Sequence, residues 1–250
     1  MSLTHPSTVL DRPIAGLFSE SAPAEPAAPA RVLLPDRYTD RYAYPLVVLF
    51  HPAGMDEETI LSSVPHLSRQ NFVVLSLRGP RAAEGVGFDW DGADEDESVE
   101  DYFLKAVAQT RRSFHVHSER IYLVGLGEGT LPAYRLALAN PDRVAGVAAL
   151  NGPFPKPKGN PLFRLETVRG LKAFVGHGLL NHAIPMDAAR HAHRVLFATG
   201  ADVQFRTYMT GERVEPDMLR DVNRWIIGNL NAETDRLILK KKKAKRRKKF

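Results

Sequence analysis

Short apolar runs without alternating polar positions recur along the chain. The seven runs are Arg31–Leu34, Leu46–His51, Phe72–Leu77, Ile121–Leu126, Val144–Leu150, Leu171–His177 and Val203–Tyr208. Such runs are typical of strands that are buried on both faces of a sheet. The pattern therefore predicts the strands of one mostly parallel sheet.

Segments with the apolar spacing of helices lie between these runs. They cover residues 57–69, 97–113, 131–139 and 187–199, and a last one begins near Pro216 and ends before Gly228. Strands that alternate with helices indicate a parallel sheet covered on both faces. We therefore predict an α/β fold, a three-layer αβα sandwich, as a single domain over residues 31–230.

The two ends of the chain differ from this pattern. Residues 1–30 contain an Ala/Pro stretch without periodicity, which predicts a flexible arm. Residues 231–250 are predicted to be a linker and a polybasic tail, Lys240–Lys249, with nine basic residues. Blocks of like charge repel, so we expect this tail to be disordered. It could contact nucleic acid or an anionic surface through counterion release, or only aid solubility.

Composition narrows the function classes. The net charge of +5 is due to the tail, and without it the chain carries −4. The absence of cysteine excludes a thiol nucleophile, a disulfide and a thiolate metal site. No apolar run is long enough for a membrane span, and no signal-peptide pattern opens the chain. We expect a cytoplasmic protein, and the sequence does not indicate its oligomeric state.

A glycine-rich turn follows the fourth apolar run. Ile121–Val124 leads into 125-Gly-Leu-Gly-Glu-Gly-129, and a helical segment continues to Asn140. This is the strand–turn–helix context of the G-x-S-x-G nucleophile elbow, with Gly127 in the position of the serine. Taken alone, the same residues also fit an ordinary turn between a strand and a helix.

Four segments in this order resemble the carboxylesterase and phospholipase branch of the α/β-hydrolase superfamily. They are residues 45–54 with 51-His-Pro-Ala-Gly-54, residues 78-Arg-Gly-Pro-Arg-81, the elbow, and 175-Val-Gly-His-Gly-178 followed by Ile184-Pro185. The resemblance covers about residues 31–229 and implies the α/β-hydrolase fold. Fold alone does not settle function.

The family hydrolyses esters or thioesters with a Ser-Asp-His triad, and the resemblance places Gly127, Asn181 and Glu212 at these three positions. None of them supplies the family's nucleophile, acid or base, so serine-esterase activity is predicted to be lost. The resemblance also implies an oxyanion hole formed by the backbone N–H groups of Ala53 and Glu128. We expect a degenerate enzyme that binds a small acyl or anionic ligand, or a protein partner, at the vestigial cleft.

Two side chains near the elbow offer other chemistry. Glu128 could act as a general base on water, which would make the chain an ester or thioester hydrolase with non-standard residues. Thr130 carries a hydroxyl in the first helical turn, where such a group caps the helix or packs, or else acts as a nucleophile. The sequence favours a residue that caps or packs.

Three histidines, His51, His177 and His182, fall at predicted strand ends, where an α/β sheet binds its ligands. The three together could coordinate zinc, but we expect His51 and His177 to be buried and to form hydrogen bonds with the backbone, with no metal and no cofactor. The acidic run at residues 89–97 departs from the EF-hand pattern, because Gly92 is in the fourth place and Ala93 in the fifth. It is predicted to be a solvated loop.

Overall fold

The computed structural model describes residues 8–9, 29–90, 97–156 and 168–247. Its strands are β1 (Thr8–Val9), β2 (Ala30–Leu33), β3 (Tyr44–Phe50), β4 (Val73–Leu77), β5 (Arg81–Ala82), β6 (Phe88–Asp89), β7 (Val116–Leu126), β8 (Gly146–Leu150), β9 (Lys172–Gly178) and β10 (Asp202–Tyr208). Its helices are α1 (Val64–Leu67), α2 (Glu97–Ser113), α3 (Thr130–Ala139), α4 (Met186–Ala198) and α5 (Pro216–Arg247).

Eight strands form one sheet in the order β1-β2-β4-β3-β7-β8-β9-β10. The strands from β4 to β10 in this order are parallel, while β2 is antiparallel to β4 and β1 is antiparallel to β2. Each of the seven apolar runs overlaps a strand of this sheet. The predicted mostly parallel sheet is therefore confirmed.

The two faces of the sheet pack against different helices. In β3, Leu46, Val48 and Phe50 belong to one core with side chains of α2, α3 and α4. Val47 and Leu49, which point the other way because strand side chains alternate, belong to a second core with α1 and α5. A helix layer on each side of the sheet gives the predicted three-layer αβα sandwich.

Some predicted bounds were wrong. Residues 57–69 were expected to form one helix, but Thr59–Ser63 is a 3₁₀ helix and only Val64–Leu67 is α-helical. The residues Thr8–Val9 were placed in a flexible arm, but they pair with β2. Without β1, the outer edge of β2 would have unpaired backbone N–H and C=O groups, and pairing with Thr8–Val9 satisfies some of them. The rest of the arm, residues 1–7 and 10–28, and residues 91–96 of the acidic run lie outside the described residues.

Helix α5 also departs from the sequence prediction. The helix was expected to end before Gly228, with a linker and a disordered tail after it, but it continues without a break to Arg247. One glycine costs a helix only about 1 kcal/mol. The residues that follow are mostly strong helix formers, and cations are favourable at a helix C-terminus. The helix therefore extends through most of the basic segment.

Within the described ranges, no helix is both long enough and apolar enough to cross a membrane.

Candidate functional site

The loops that follow five parallel strands meet at one edge of the sheet. They enclose a cavity of about 510 Å³, which is lined by Pro52, Met55, Ile60, Ser63, Leu126, Gly127, Glu128, Asn151, Asn181, Ala183, Ile184, Glu212, Arg213 and Val214. Gly127, Asn181 and Glu212, the three positions that the resemblance assigned to a triad, are all among them. The fold thus brings together residues that are far apart in the sequence.

The elbow has the backbone that the glycine-rich motif requires. Gly127 follows the extended end of β7, and its φ of +54° lies in the left-handed region that favours glycine. Gly129 allows close approach to the neighbouring strand, because a Cβ atom there would lie 2.3 Å from the Phe50 carbonyl oxygen. The turn is therefore formed as in a nucleophile elbow, with no side chain at its apex.

Pro52 occupies the space next to this apex. A Cβ atom at residue 127 would lie 3.2 Å from the Pro52 Cβ atom and 3.8 Å from its Cγ atom. The first distance is tighter than an ordinary van der Waals contact, and the proline ring has little freedom to move. The loop after β3 and the glycine at residue 127 are therefore sterically matched.

The Glu128 carboxylate is engaged by the loop after β3. Its Oε2 atom accepts a hydrogen bond of 3.2 Å from the Ala53 N–H, one of the two donors that the resemblance assigned to an oxyanion hole. The donor is thus present, but a carboxylate of the same chain already takes its hydrogen bond. An anion that approached this donor would meet the negative charge of Glu128.

Thr130 is a packed residue at the start of α3. Its side chain is buried, and its Oγ1 atom lies 2.8 Å from the Gly127 carbonyl oxygen and 2.7 Å from the Pro153 carbonyl oxygen, both of which are acceptors. The hydroxyl therefore contacts carbonyl oxygens rather than a backbone N–H, so Thr130 packs at the start of α3 and does not cap the helix.

The three histidines do not converge on one point. His51 is buried; its Nε2 atom accepts the Gly79 N–H at 2.8 Å, and its Nδ1 atom lies 2.7 Å from the Pro52 carbonyl oxygen. His177 is also buried, with Nε2 at 2.8 Å from the Ile184 carbonyl oxygen. Burial lowers the pKa of both imidazoles. His182 is exposed.

The predicted backbone hydrogen bonds of His51 and His177 are therefore confirmed. Because these bonds engage both ring nitrogens of His51, that ring is not available as a metal ligand. In the part of the chain that the structure describes, no group of three or more metal-binding side chains is suitably placed for an ion.

Asn151, at the end of β8, ties the walls of the cavity together. It is buried, and its Nδ2 atom lies 3.0–3.1 Å from the carbonyl oxygens of Gly211, Glu212 and Arg213. Its Oδ1 atom accepts the Gly178 N–H at 2.7 Å. One side chain thus fixes the end of β9 and the loop that carries Glu212. Asn151 was not among the site residues predicted from the sequence, where its signal was only a polar residue directly after an apolar run.

Asn181 and Glu212, which both line the cavity, have different surroundings. Asn181 is buried, and its Oδ1 atom accepts the Ile184 N–H at 2.9 Å, which shapes the loop after β9. Glu212 is exposed at the cavity, and its carbonyl oxygen is held by Asn151. The amide of Asn181 therefore has a structural contact of its own.

An ion pair with a buried carboxylate connects the loop after β3 to the residue that follows β4. Glu57 has no exposed surface, and its carboxylate oxygens accept hydrogen bonds of 2.6 Å from Nε and Nη2 of Arg78. The Arg78 guanidinium also lies 4.5 Å from the centre of the Phe88 ring. In the sequence, Glu57 was only the first residue of the helical segment predicted over residues 57–69. Its role depends on a partner that lies twenty-one residues away in the sequence.

The comparisons with known proteins agree with the fold. The phospholipase/carboxylesterase family profile matches residues 89–229, more than half of the chain, and the chain belongs to this family. No curated protein sequence matches it.

Among solved structures, the carboxylesterase from Mesorhizobium loti is similar, with a TM-score of 0.66 and 16% sequence identity over 83% of this chain and 98% of that chain. The Bacillus cereus carboxylesterase has a TM-score of 0.63 and 16% identity over 80% of this chain and 93% of that chain. The phospholipase/carboxylesterase from Dyadobacter fermentans has a TM-score of 0.62 and 15% identity over 79% and 95%. At this level of identity the likeness shows the α/β-hydrolase fold.

The contact between residues 52 and 127 gives a first testable prediction. Gly127→Ala should lower the free energy of unfolding, because it adds a Cβ atom in the left-handed region and against Pro52. In a Pro52→Gly background the same change should cost roughly 1 kcal/mol less, which is a measurable coupling in a double-mutant cycle by urea denaturation. Additive effects of the two substitutions would contradict the steric match.

Asn151→Gly gives a second prediction. Asn151 has a positive φ of 53°, so glycine adds no backbone strain and the change isolates the lost hydrogen bonds. Leaving these buried groups without a partner should lower the free energy of unfolding by roughly 3 kcal/mol, measured by urea denaturation. The exposed Asn231→Ala is the control and should change it by less than about 0.5 kcal/mol. Equal stability of the two variants would show that Asn151 does not hold the loops.

Proposed function

We propose that this member of the phospholipase/carboxylesterase family is a catalytically degenerate protein that binds a small ligand at the vestigial cleft. The observation that carries the proposal is the position of Gly127, which lies at the apex of a complete elbow and lines the cavity together with Asn181 and Glu212. A glycine has no group that could attack a carbonyl. Without a nucleophile, acyl transfer by the family's route has no first step.

The other groups near the apex do not replace the serine. The Thr130 hydroxyl is buried and lies within hydrogen-bonding distance of two carbonyl oxygens. The Glu128 carboxylate accepts the Ala53 N–H, so one of its oxygen atoms is already engaged by the loop after β3. The contacts of these two residues therefore favour a ligand-binding role of the site over a catalytic one.

The lining of the cavity favours an uncharged acyl ligand. Half of the residues around it have apolar side chains, among them Met55, Ile60 and Val214. Its carboxylates, Glu128 and Glu212, repel an anion at short range, while Arg213 offsets one of the two charges. Of the ligands expected from the sequence, the geometry therefore supports an acyl group and disfavours an anion.

Exposed apolar side chains continue from the cavity to the surface. Leu179, Leu180 and Met209 have 48%, 52% and 79% of their surface exposed. Their two loops are adjacent, because the Leu180 N–H donates to the Thr210 carbonyl oxygen at 3.0 Å. Such a rim could contact the distal end of an acyl chain or an apolar surface of a protein partner.

Hydrolysis of a short-chain nitrophenyl ester tests whether the chain is catalytic. We expect the wild type to show no turnover above the uncatalysed rate. Combining Gly127→Ser, Asn181→Asp and Glu212→His with Pro52→Gly should raise the rate by about 10²-fold, because it supplies a nucleophile and a base.

The competing function is a hydrolase in which Glu128 activates water. It predicts robust wild-type turnover that Glu128→Gln abolishes and the exposed control Glu119→Gln leaves unchanged. That result would overturn the proposal.

Ligand-detected NMR with methyl hexanoate and sodium hexanoate tests the ligand class. We expect the ester to bind, and the carboxylate to bind roughly fivefold more weakly, because Glu128 and Glu212 repel it. Ala183→Trp, at an exposed cavity residue, should block binding, whereas Ala232→Trp on the exposed part of α5 should not. Tighter binding of hexanoate, or full binding by Ala183→Trp, would contradict this assignment.

A further inference from the structure

The C-terminal part of α5 projects beyond the core. Among the helix residues whose burial is described, Leu230 is the last buried one, and Glu233 is joined to Arg120 of the body by an ion pair of 3.1 Å. The helix then continues to Arg247. The segment from residue 231 to its end is about 25 Å long at the usual rise per residue. We refer to residues 231–247 as the helical extension.

Positive charge is concentrated at the end of this extension. Arg236 is followed by four consecutive lysines, Lys240–Lys243, and then by Lys245, Arg246 and Arg247, while Asp235 and Glu233 are its acidic residues. Lys240, Lys241 and Lys242 are exposed. Successive helix positions are rotated by about 100°, so these three cations lie on three sides of the helix.

The apolar residues of the extension do not form a single face. Leu237, Ile238 and Leu239 are exposed by 47%, 45% and 56%, and they too are consecutive, so they lie on three sides of the axis. A helix that lies on a bilayer needs apolar residues on one face and cations on the other. The extension lacks this separation, so its charge distribution is better matched to a partner that surrounds it with anions.

We propose that the helical extension binds the phosphate backbone of double-helical nucleic acid, with the helix in the major groove of B-form DNA. This groove is about 12 Å wide and admits an α-helix. Cations on several sides of a helix in the groove reach phosphates on both DNA strands. Each phosphate that they neutralise releases counterions from the DNA, which favours binding. The extension holds no pattern for reading bases, so binding is independent of sequence. The body, with its net negative charge, does not take part.

Fluorescence anisotropy with the full-length chain and short labelled duplexes tests this inference. We expect two DNA duplexes of unrelated sequence to bind equally, with an affinity that falls steeply between about 50 and 200 mM salt. Replacing Lys240, Lys241 and Lys242 with glutamine, which keeps helix propensity, should weaken binding about tenfold. Replacing the same residues with arginine should preserve it.

The matched control removes the same charge from the body. Lys105→Gln, Arg190→Gln and Arg220→Gln together should leave DNA affinity within about twofold of the wild type, because these residues lie outside the extension. An equal loss in the control and in the lysine variant would overturn the proposal, since net charge alone would then explain binding. Unchanged binding by the lysine variant would overturn it as well.

Two further binding measurements distinguish DNA from other anionic partners. Duplex RNA has a deep and narrow major groove, so we expect it to bind more weakly than DNA, and equal or tighter binding would overturn docking in the groove. Vesicles of phosphatidylcholine and phosphatidylserine test a lipid surface. If they bind more tightly than DNA, and if changing Leu237, Ile238 and Leu239 to serine abolishes vesicle binding, the partner is a membrane and the proposal fails.

Discussion

The hydrogen bonds of Asn151 fix the relative positions of the loops that form the cleft. This buried side chain spans from β8 to the end of β9 and to the loop after β10. A parallel sheet brings its strand ends to one edge, but it does not specify how the loops beyond that edge lie against each other. A side-chain amide with both donors and an acceptor can satisfy backbone groups on two loops at once. The shape of the cleft therefore depends on Asn151, and Asn181 contributes the contact that shapes the loop after β9.

The turn at Gly127 and a catalytic side chain at the same position have separate physical requirements. The sharp turn depends on a positive φ at Gly127 and on close approach of Gly129 to β3, and neither depends on a hydroxyl group. Catalysis instead needs space for a side chain at residue 127, and Pro52 restricts that space. Glycine removes the strain that a serine would carry at such a turn. The geometry of the turn therefore does not depend on a nucleophile at residue 127.

Much of the fold could be predicted from the sequence, because buried parallel strands are continuous apolar runs and the turns after them are rich in glycine. The site positions Gly127, Asn181 and Glu212 were placed by resemblance, and the structure brings them to one cavity. The interactions between distant residues could not be predicted. Ala53 with Glu128 and Glu57 with Arg78 are pairs whose partners have no local signal in the sequence.

The helical extension was mispredicted for a different reason. Repulsion among like charges and a glycine at residue 228 both suggested an end to the helix, but each is a small local effect. Leu219, Val222 and Ile226 anchor the first part of α5 in the core, so the helix is already nucleated when it leaves the body. Each further residue then adds one backbone hydrogen bond. For residues with high helix propensity, this is enough for the helix to continue.

The electrostatics of the molecule separate the cleft from the extension. Glu128 and Glu212 make the cleft a poor site for anions, while the cations that offset the acidic body are concentrated in the last residues of the chain. Screening limits the interaction between exposed charges to about 8–10 Å at moderate salt, and the extension projects about 25 Å from the core. A ligand in the cleft and a polyanion on the extension would therefore interact little through charge. Any coupling between them would have to pass through α5, which packs on the same sheet whose edge forms the cleft.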